Sequence, residues 1–192
     1  NGVFQKAILR ADYTNEIPAQ LKTIITLPDE AEWLEITVKL SKKKPDTWPE
    51  AGWIYLPVDV NGDPQFRIGR NGSVVDPIDF PRGTNRTICY VYTGAMIAGT
   101  DGKGVGICNL DHGLMSFGQT GIMKFEPSYI PQKPIAFVNL FNNQWNTNFP
   151  YWIGDSISSR VRIWSTNNIN PKSLILSATE FRNSVLVGFA DG

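Results

Sequence analysis

Trp33 to Leu40 reads WLEITVKL, and its alternation decides the fold class. Leu34, Ile36, Val38 and Leu40 fall on one side of an extended chain, and Trp33, Glu35, Thr37 and Lys39 on the other. A period of two is what a strand shows when only one of its faces is buried. The aliphatic set faces a core, and the second set faces solvent or a partner. Upstream, Leu21 to Leu27 (LKTIITL) reads as another strand, and the PDEAE that joins the two is turn-like.

Downstream, Gly52 to Val60 (GWIYLPVDV) is strand-like but holds Pro57. Proline removes a ladder donor, which places that strand at a sheet edge or at a bulge. Asn61-Gly62 signals a turn, and QFRIG is a short strand. Arg70 to Asn85 carries several Pro and Gly breakers and reads as a long ordered loop, a common place for function. Ile88 to Ile97 and Val105 to Leu110 form a hairpin about Asp101-Gly102-Lys103-Gly104. Short strands are expected at Leu114 to Gly118 and Gly121 to Glu126, and an alternating one at Ser158 to Ser165. STNNINPKS reads as a turn, and Ser173 to Ala178 and Ser184 to Phe189 as the last strands. A helical period nowhere persists, and only Glu180 to Arg182 suits a helical turn. With 17 Gly and 13 Pro, the pattern predicts an all-β chain, a large antiparallel β-sandwich. A single domain over 1–192 is expected, with extra strands at 1–30 and 173–192.

Composition narrows the function classes. Hydrophobic residues make up 42% and charged residues 19%, a globular balance. Eighteen basic residues offset eighteen acidic ones, so no net field draws nucleic acid or an anionic membrane. No apolar stretch approaches the length of a membrane span. The first ten residues carry neither Met nor a signal-peptide core, the chain stops after a strand-like run, and both ends read as cut from a longer polypeptide. Compartment stays open. Across the expected hairpin, Cys108 faces roughly position 96 and Cys89 roughly position 115, far out of register for a disulfide, so both read as buried free thiols.

The histidine at 112 is the only one in the chain. It lacks a nucleophile elbow, and with two strand cysteines it makes a poor zinc donor set. Loop carboxylates at Glu50, Asp76, Asp79, Asp111, Asp155 and Glu180 read as turn formers or ion-pair partners. The stretch richest in recognition chemistry is Phe137 to Trp152, FVNLFNNQWNTNFPYW. Asn142, Asn143, Asn146 and Asn148 bring paired donors and acceptors, and Trp145, Phe149, Tyr151 and Trp152 bring flat apolar faces. Amides beside rings suit sugar hydroxyls and sugar ring faces, although the same residues also cap turns and fill cores. Asn143, Trp145, Asn148 and Trp152 are the candidate substrate-binding residues; no catalytic, metal or cofactor residues are expected in this chain.

Several segments together resemble one family. WPEAGWIYLPVDV, GTNRTICYVYTGAMIAGTDGKGVGICNLDHGLMSFG, SRVRIW and EFRNSVLVGFADG resemble successive elements in the β-rich half of glycoside hydrolase family 38, the α-mannosidase-like proteins. NLFNNQWNTNFPYW is similar to the N-N-x-W-x-T-N-F motif of that family's bacterial branch. The resemblance covers roughly residues 30 to 190 and departs at Asp111-His112-Gly113, where a smaller residue and Pro follow the Asp in the family pattern. It implies a C-terminal supersandwich of the galactose-mutarotase-like kind. The family's carboxylate nucleophile and divalent metal, such as zinc, belong to an N-terminal catalytic barrel outside this chain. That barrel, in the same polypeptide, is the implied partner, with carbohydrate at the shared cleft. The competing expectation is an independent carbohydrate-binding module with Trp145 and Trp152 as platforms. A self-sufficient enzyme of the mutarotase or lyase kind is a third.

Overall fold

A computed structural model describes residues 4–12, 19–70, 72–122, 124–143 and 153–183. Among these residues, twelve strands form two antiparallel sheets. In chain order they are β1 (Phe4–Ala11), β2 (Gln20–Pro28), β3 (Trp33–Lys43), β4 (Ala51–Pro57), β5 (Gln65–Arg70) and β6 (Ser73–Val75). There follow β7 (Cys89–Tyr90), β8 (Gly94–Ala98), β9 (Gly104–Asn109), β10 (Leu114–Phe117), β11 (Ile135–Asn142) and β12 (Asp155–Thr166). The larger sheet runs β1-β2-β3-β12-β9-β8-β5-β6, and the smaller runs β4-β11-β10-β7.

The alternation read from β3 is the one the fold uses. Val38 and Leu40 are buried, and they join Val161, Ile107, Ile97, Ala95, Phe66 and Ile68 on the inner face of the larger sheet. Ile54, Leu56, Ala136, Val138, Met115 and Phe117 oppose them from the smaller sheet in the same apolar cluster. The chain is therefore an all-β sandwich. β4 is an edge strand that ends on Pro57.

The expected single strand over Ile88 to Ile97 is divided between the two sheets. Cys89 pairs with Met115 in the smaller sheet, and Ala95 pairs with Ile107 in the larger. Val91 to Thr93 carry the chain across, held by Val91 N to Gly113 O and by Tyr92 N to Gly69 O. Both thiols are free and buried. Arg70 to Asn85 is an ordered connection that contains β6 and a 3-10 turn, Pro77–Asp79. Arg67 pins it by an ion pair to Asp76 at 2.7 Å. Gly121 to Glu126 is not a strand in its described residues.

The chain's largest departure from expectation is α1 (Pro171–Arg182), where a turn and a strand had been read. Asn170 caps it: its side-chain oxygen accepts from Ser173 N at 3.0 Å, and Pro171 occupies the first turn, where no N–H is needed. Leu174 and Ala178 are fully buried against Met96 and Cys108, while Leu176 is 60% exposed. Strand geometry would have put Leu174 and Leu176 on one face; burial at i and i+4 is helical. Phe181 completes the stripe, edge-on to Trp33 at 5.7 Å and to Trp164 at 5.2 Å. Trp33, on the face expected to meet solvent or a partner, is covered by this helix of the same chain. A Cβ on Gly106 would lie 2.0 Å from the Trp164 ring, so only glycine lets the indole lie flat on β9 beneath α1. The expected strand at Ser184 to Phe189 lies outside the described residues.

Candidate functional site

The Asn-aromatic stretch begins on β11, and its two stems are held together by one buried cluster. Lys43, at the end of β3, is 6% exposed. Its ammonium pairs with the Glu50 carboxylate and donates to Ile153 O at 2.8 Å and to Lys44 O at 3.1 Å. A buried ammonium requires this many acceptors. Asn143, on the other stem, exchanges hydrogen bonds with the same loop. Its backbone N donates to Glu50 O at 3.0 Å, its side-chain oxygen accepts from Glu50 N at 2.6 Å, and its Nδ2 donates to Trp48 O at 2.9 Å. The Asn143 amide, expected to meet a sugar, is bonded to backbone and fixes the Asp46 to Glu50 loop, from which Trp48 projects 74% exposed. Trp145, Asn148 and Trp152 lie outside the described residues.

Between those stems opens a cleft of about 530 Å³. Its walls come from Tyr90 on β7, the Asp111–Gly113 turn after β9, Leu114 on β10, the end of β11, Ile153 before β12 and Ile157 on β12. A bulge in the β4–β11 ladder between Asn139 and Phe141 places Asn139 there. Asn139 Nδ2 donates to Phe141 O at 3.0 Å and Gly52 O at 3.2 Å, and its oxygen accepts from Asn142 Nδ2 at 2.7 Å. Asn142 Oδ1 is buried with no hydrogen-bond partner among the described residues. A buried acceptor left alone costs about 1–3 kcal/mol.

The turn residues divide their roles. Asp111 accepts three bonds from Arg160, from its N at 2.8 Å, Nε at 3.0 Å and Nη2 at 2.7 Å. That bidentate grip holds the carboxyl below the usual carboxylate range. Asp111 is thus an ionised clamp between the β9–β10 turn and β12. His112 Nε2 lies 3.0 Å from Ser158 O. A carbonyl only accepts, so Nε2 carries a hydrogen and donates it to Ser158 O. Tyr90 is 54% exposed, and its ring packs on Gly113, where a Cβ would come within 2.3 Å. The cleft thus offers, among the described residues, an aromatic ring, linked amides and an imidazole around a carboxylate paired with Arg160. Among the described residues, no group of three or more His, Cys, Asp or Glu is placed to hold a metal ion.

Of the four candidate binding residues only Asn143 is among the described residues, and the cleft is lined by Tyr90, His112, Asn139 and Asn142. Asn139 and Tyr90 were read only as strand residues. Asn139 did carry a signal, since it is a polar residue inside the aliphatic run IAFVNLF. A larger cavity of about 880 Å³ opens at the other end of the sandwich, with Ile36, Leu56 and Val105 inside and Asp59, Asp101 and Lys103 among its lining.

No protein-family model matches the chain. No curated protein matches it either. Among solved structures it is similar to a candidate aldose 1-epimerase from Escherichia coli K12, with a TM-score of 0.43 and 9% identity. The match covers 84% of this chain and 65% of that one, so this chain spans just under two thirds of that protein's length.

Proposed function

We propose that this chain is a sugar-binding, non-catalytic β-sandwich domain of an α-mannosidase-like glycoside hydrolase. Its binding surface is the cleft at the base of the Asn-aromatic stretch. The observation that carries the reading is the cleft's composition: an exposed Tyr90 ring beside the Asn139–Asn142 amide pair and the His112 imidazole. Pyranose rings present axial C–H groups to an aromatic face and hydroxyls to amides, and this set meets both. Among the described residues the carboxylate lining the cleft is that of Asp111, and Arg160 engages both its oxygens. That arrangement suits recognition better than acid–base hydrolysis, which uses two differently poised carboxyl groups.

The α-mannosidase-like parent, with its metal-bearing barrel packed on this domain, rests on the segment resemblance alone. Reading the gene upstream of Asn1 tests it, because a barrel rich in Asp and His is expected there. Titration calorimetry of the 192-residue chain against manno-oligosaccharides tests the cleft. Binding is expected to weaken at least tenfold in Tyr90→Ala and Asn142→Ala. A chain that binds no glycan, or binds equally well in both variants, removes the sugar from the proposal and leaves a supporting domain. Binding lost instead in Trp145→Ala or Trp152→Ala favours the independent module built on those rings.

A further inference from the structure

The chain from β5 to β7 carries more positive charge than its own acids neutralise. Arg67, Arg70, Arg82 and Arg86 lie along it, against Asp76 and Asp79. Arg67 takes Asp76. Among the described residues no carboxylate pairs with Arg70, Arg82 or Arg86, and Asp79 pairs with no cation.

Two of these cations converge on one buried residue. Phe80 sits in the core between the sheets at 4% exposure. Arg70, the last residue of β5, lays its guanidinium over the Phe80 ring at 4.9 Å. Arg86, on the approach to β7, donates from Nη2 to Phe80 O at 2.8 Å. The Arg70 charge also bears on the buried Cys89 thiol, just beyond Arg86 in the chain, where it opposes the rise that burial causes. Both arginines are half-buried. Arg86 Nε is buried and has no hydrogen-bond partner among the described residues. A guanidinium is a planar fork of five N–H donors and cannot shed its charge. Leaving such a donor buried without an acceptor is unfavourable, and a second cation beside it adds to the cost.

We infer that Arg70 and Arg86 form a binding site for a tetrahedral oxyanion, a phosphate or sulfate group that is either free or carried on a sugar. Rotation about the last bonds of the Arg86 side chain would bring its Nε edge out beside Arg70. Two oxygens of the anion would accept from that edge, from Nε and from the second N–H of Nη2, and a third would face Arg70. The Phe80 ring backs Arg70, so the anion meets a cation already placed. The undescribed residues beside this chain segment, Asn71 and Met123, carry no charge to compete. Glu16 belongs to the β1–β2 connection, and β1 and β2 lie at the opposite edge of the larger sheet from β5 and β6. Asp191 of the same chain is the rival occupant.

The test follows the Arg86 Nε–H resonance of the nitrogen-labelled 192-residue chain at constant ionic strength. Inorganic phosphate, inorganic sulfate and mannose 6-phosphate are titrated in turn, with mannose as the control. A saturable shift is expected with an oxyanion and none with mannose, and the lower midpoint of phosphate and mannose 6-phosphate tells a free anion from a sugar-borne one. Calorimetry then compares variants, with circular dichroism reporting that each is folded. Arg70→Gln and Arg86→Gln are expected to weaken binding at least tenfold, and the exposed Arg82→Gln less than twofold. An equal loss in all three variants would mean unspecific charge attraction and would overturn the inference. So would an Arg86 resonance that no oxyanion moves, because Asp191, another group of the chain or water then already holds the fork.

Discussion

At the scale of single residues, the roles in the cleft follow from who neutralises whom. Asp111 looks in sequence like a loop acid available for chemistry, yet Arg160 takes both its oxygens. Because Arg160 lowers the Asp111 pKa on folding, the pair contributes stability above the unfolded carboxyl value of about 3.9 and loses it as pH falls through the folded value below that. With Arg160 49% exposed and Asp111 28%, the contribution is held to about 0.2–1 kcal/mol. Urea unfolding of Asp111→Asn should show that small deficit unchanged between pH 7 and 5 and shrinking below about pH 4. A deficit that grows on acidification would mean that Asp111 is not the ionised partner. Asn143 teaches the same lesson. Its amide capacity is visible in the sequence, but its partners lie 93 and 95 residues away at Glu50 and Trp48.

Among the secondary-structure elements, α1 is where local pattern and tertiary packing must be weighed together. Leu174, Ile175 and Leu176 form an aliphatic run that reads equally as strand or helix, since short apolar runs do not separate the two periods. Asn170 before Pro171, read from the sequence only as part of a turn, is an N-cap followed by a residue that tolerates the first turn. Leu174→Ala should cost about 2–5 kcal/mol, because the side chain is fully buried on Met96 and Cys108. Asn170→Ala should cost about 1 kcal/mol, and the exposed Leu176→Ala under about 0.5 kcal/mol. Chemical denaturation of the three variants checks the order. A Leu176 cost equal to that of Leu174 would favour the strand reading. β4 illustrates the opposite case. Pro57 narrowed it to an edge or a bulge, because a missing donor has the same consequence in any sandwich, and the sheet order makes it an edge.

For the whole molecule, the two thiols report on the sandwich as a unit. Burial pushes the Cys89 thiol up to about 12 and also raises Cys108. In the unfolded chain a thiol ionises near 8.5. The buried thiols therefore contribute full stability below that value, and the contribution declines as pH rises from there towards the folded value. Stability should fall progressively above about pH 8.5, and less steeply in Cys89→Ala. At pH 8 a thiol reagent should label neither cysteine of the native chain until denaturant opens the sandwich, and rapid labelling of Cys89 without denaturant would show that the core opens locally.

Local chemistry determined much of this protein. The alternation of β3, the Asn61-Gly62 turn and the missing donor at Pro57 all depend on neighbours within a few residues, so they could be read directly. The Asn-aromatic stretch could be singled out for the same reason, from its composition. What only the tertiary structure decided are matters of partnership. They include the insertion of β12 between β3 and β9, the passage of residues 91–93 from one sheet to the other, and the covering of Trp33 by α1. They also include the gathering of Tyr90, His112, Asn139 and Asn142 into one cleft. An apolar strand face can be buried against many others at similar gain. Which one it meets is settled by the simultaneous packing of segments far apart in the chain, and no local period records that choice.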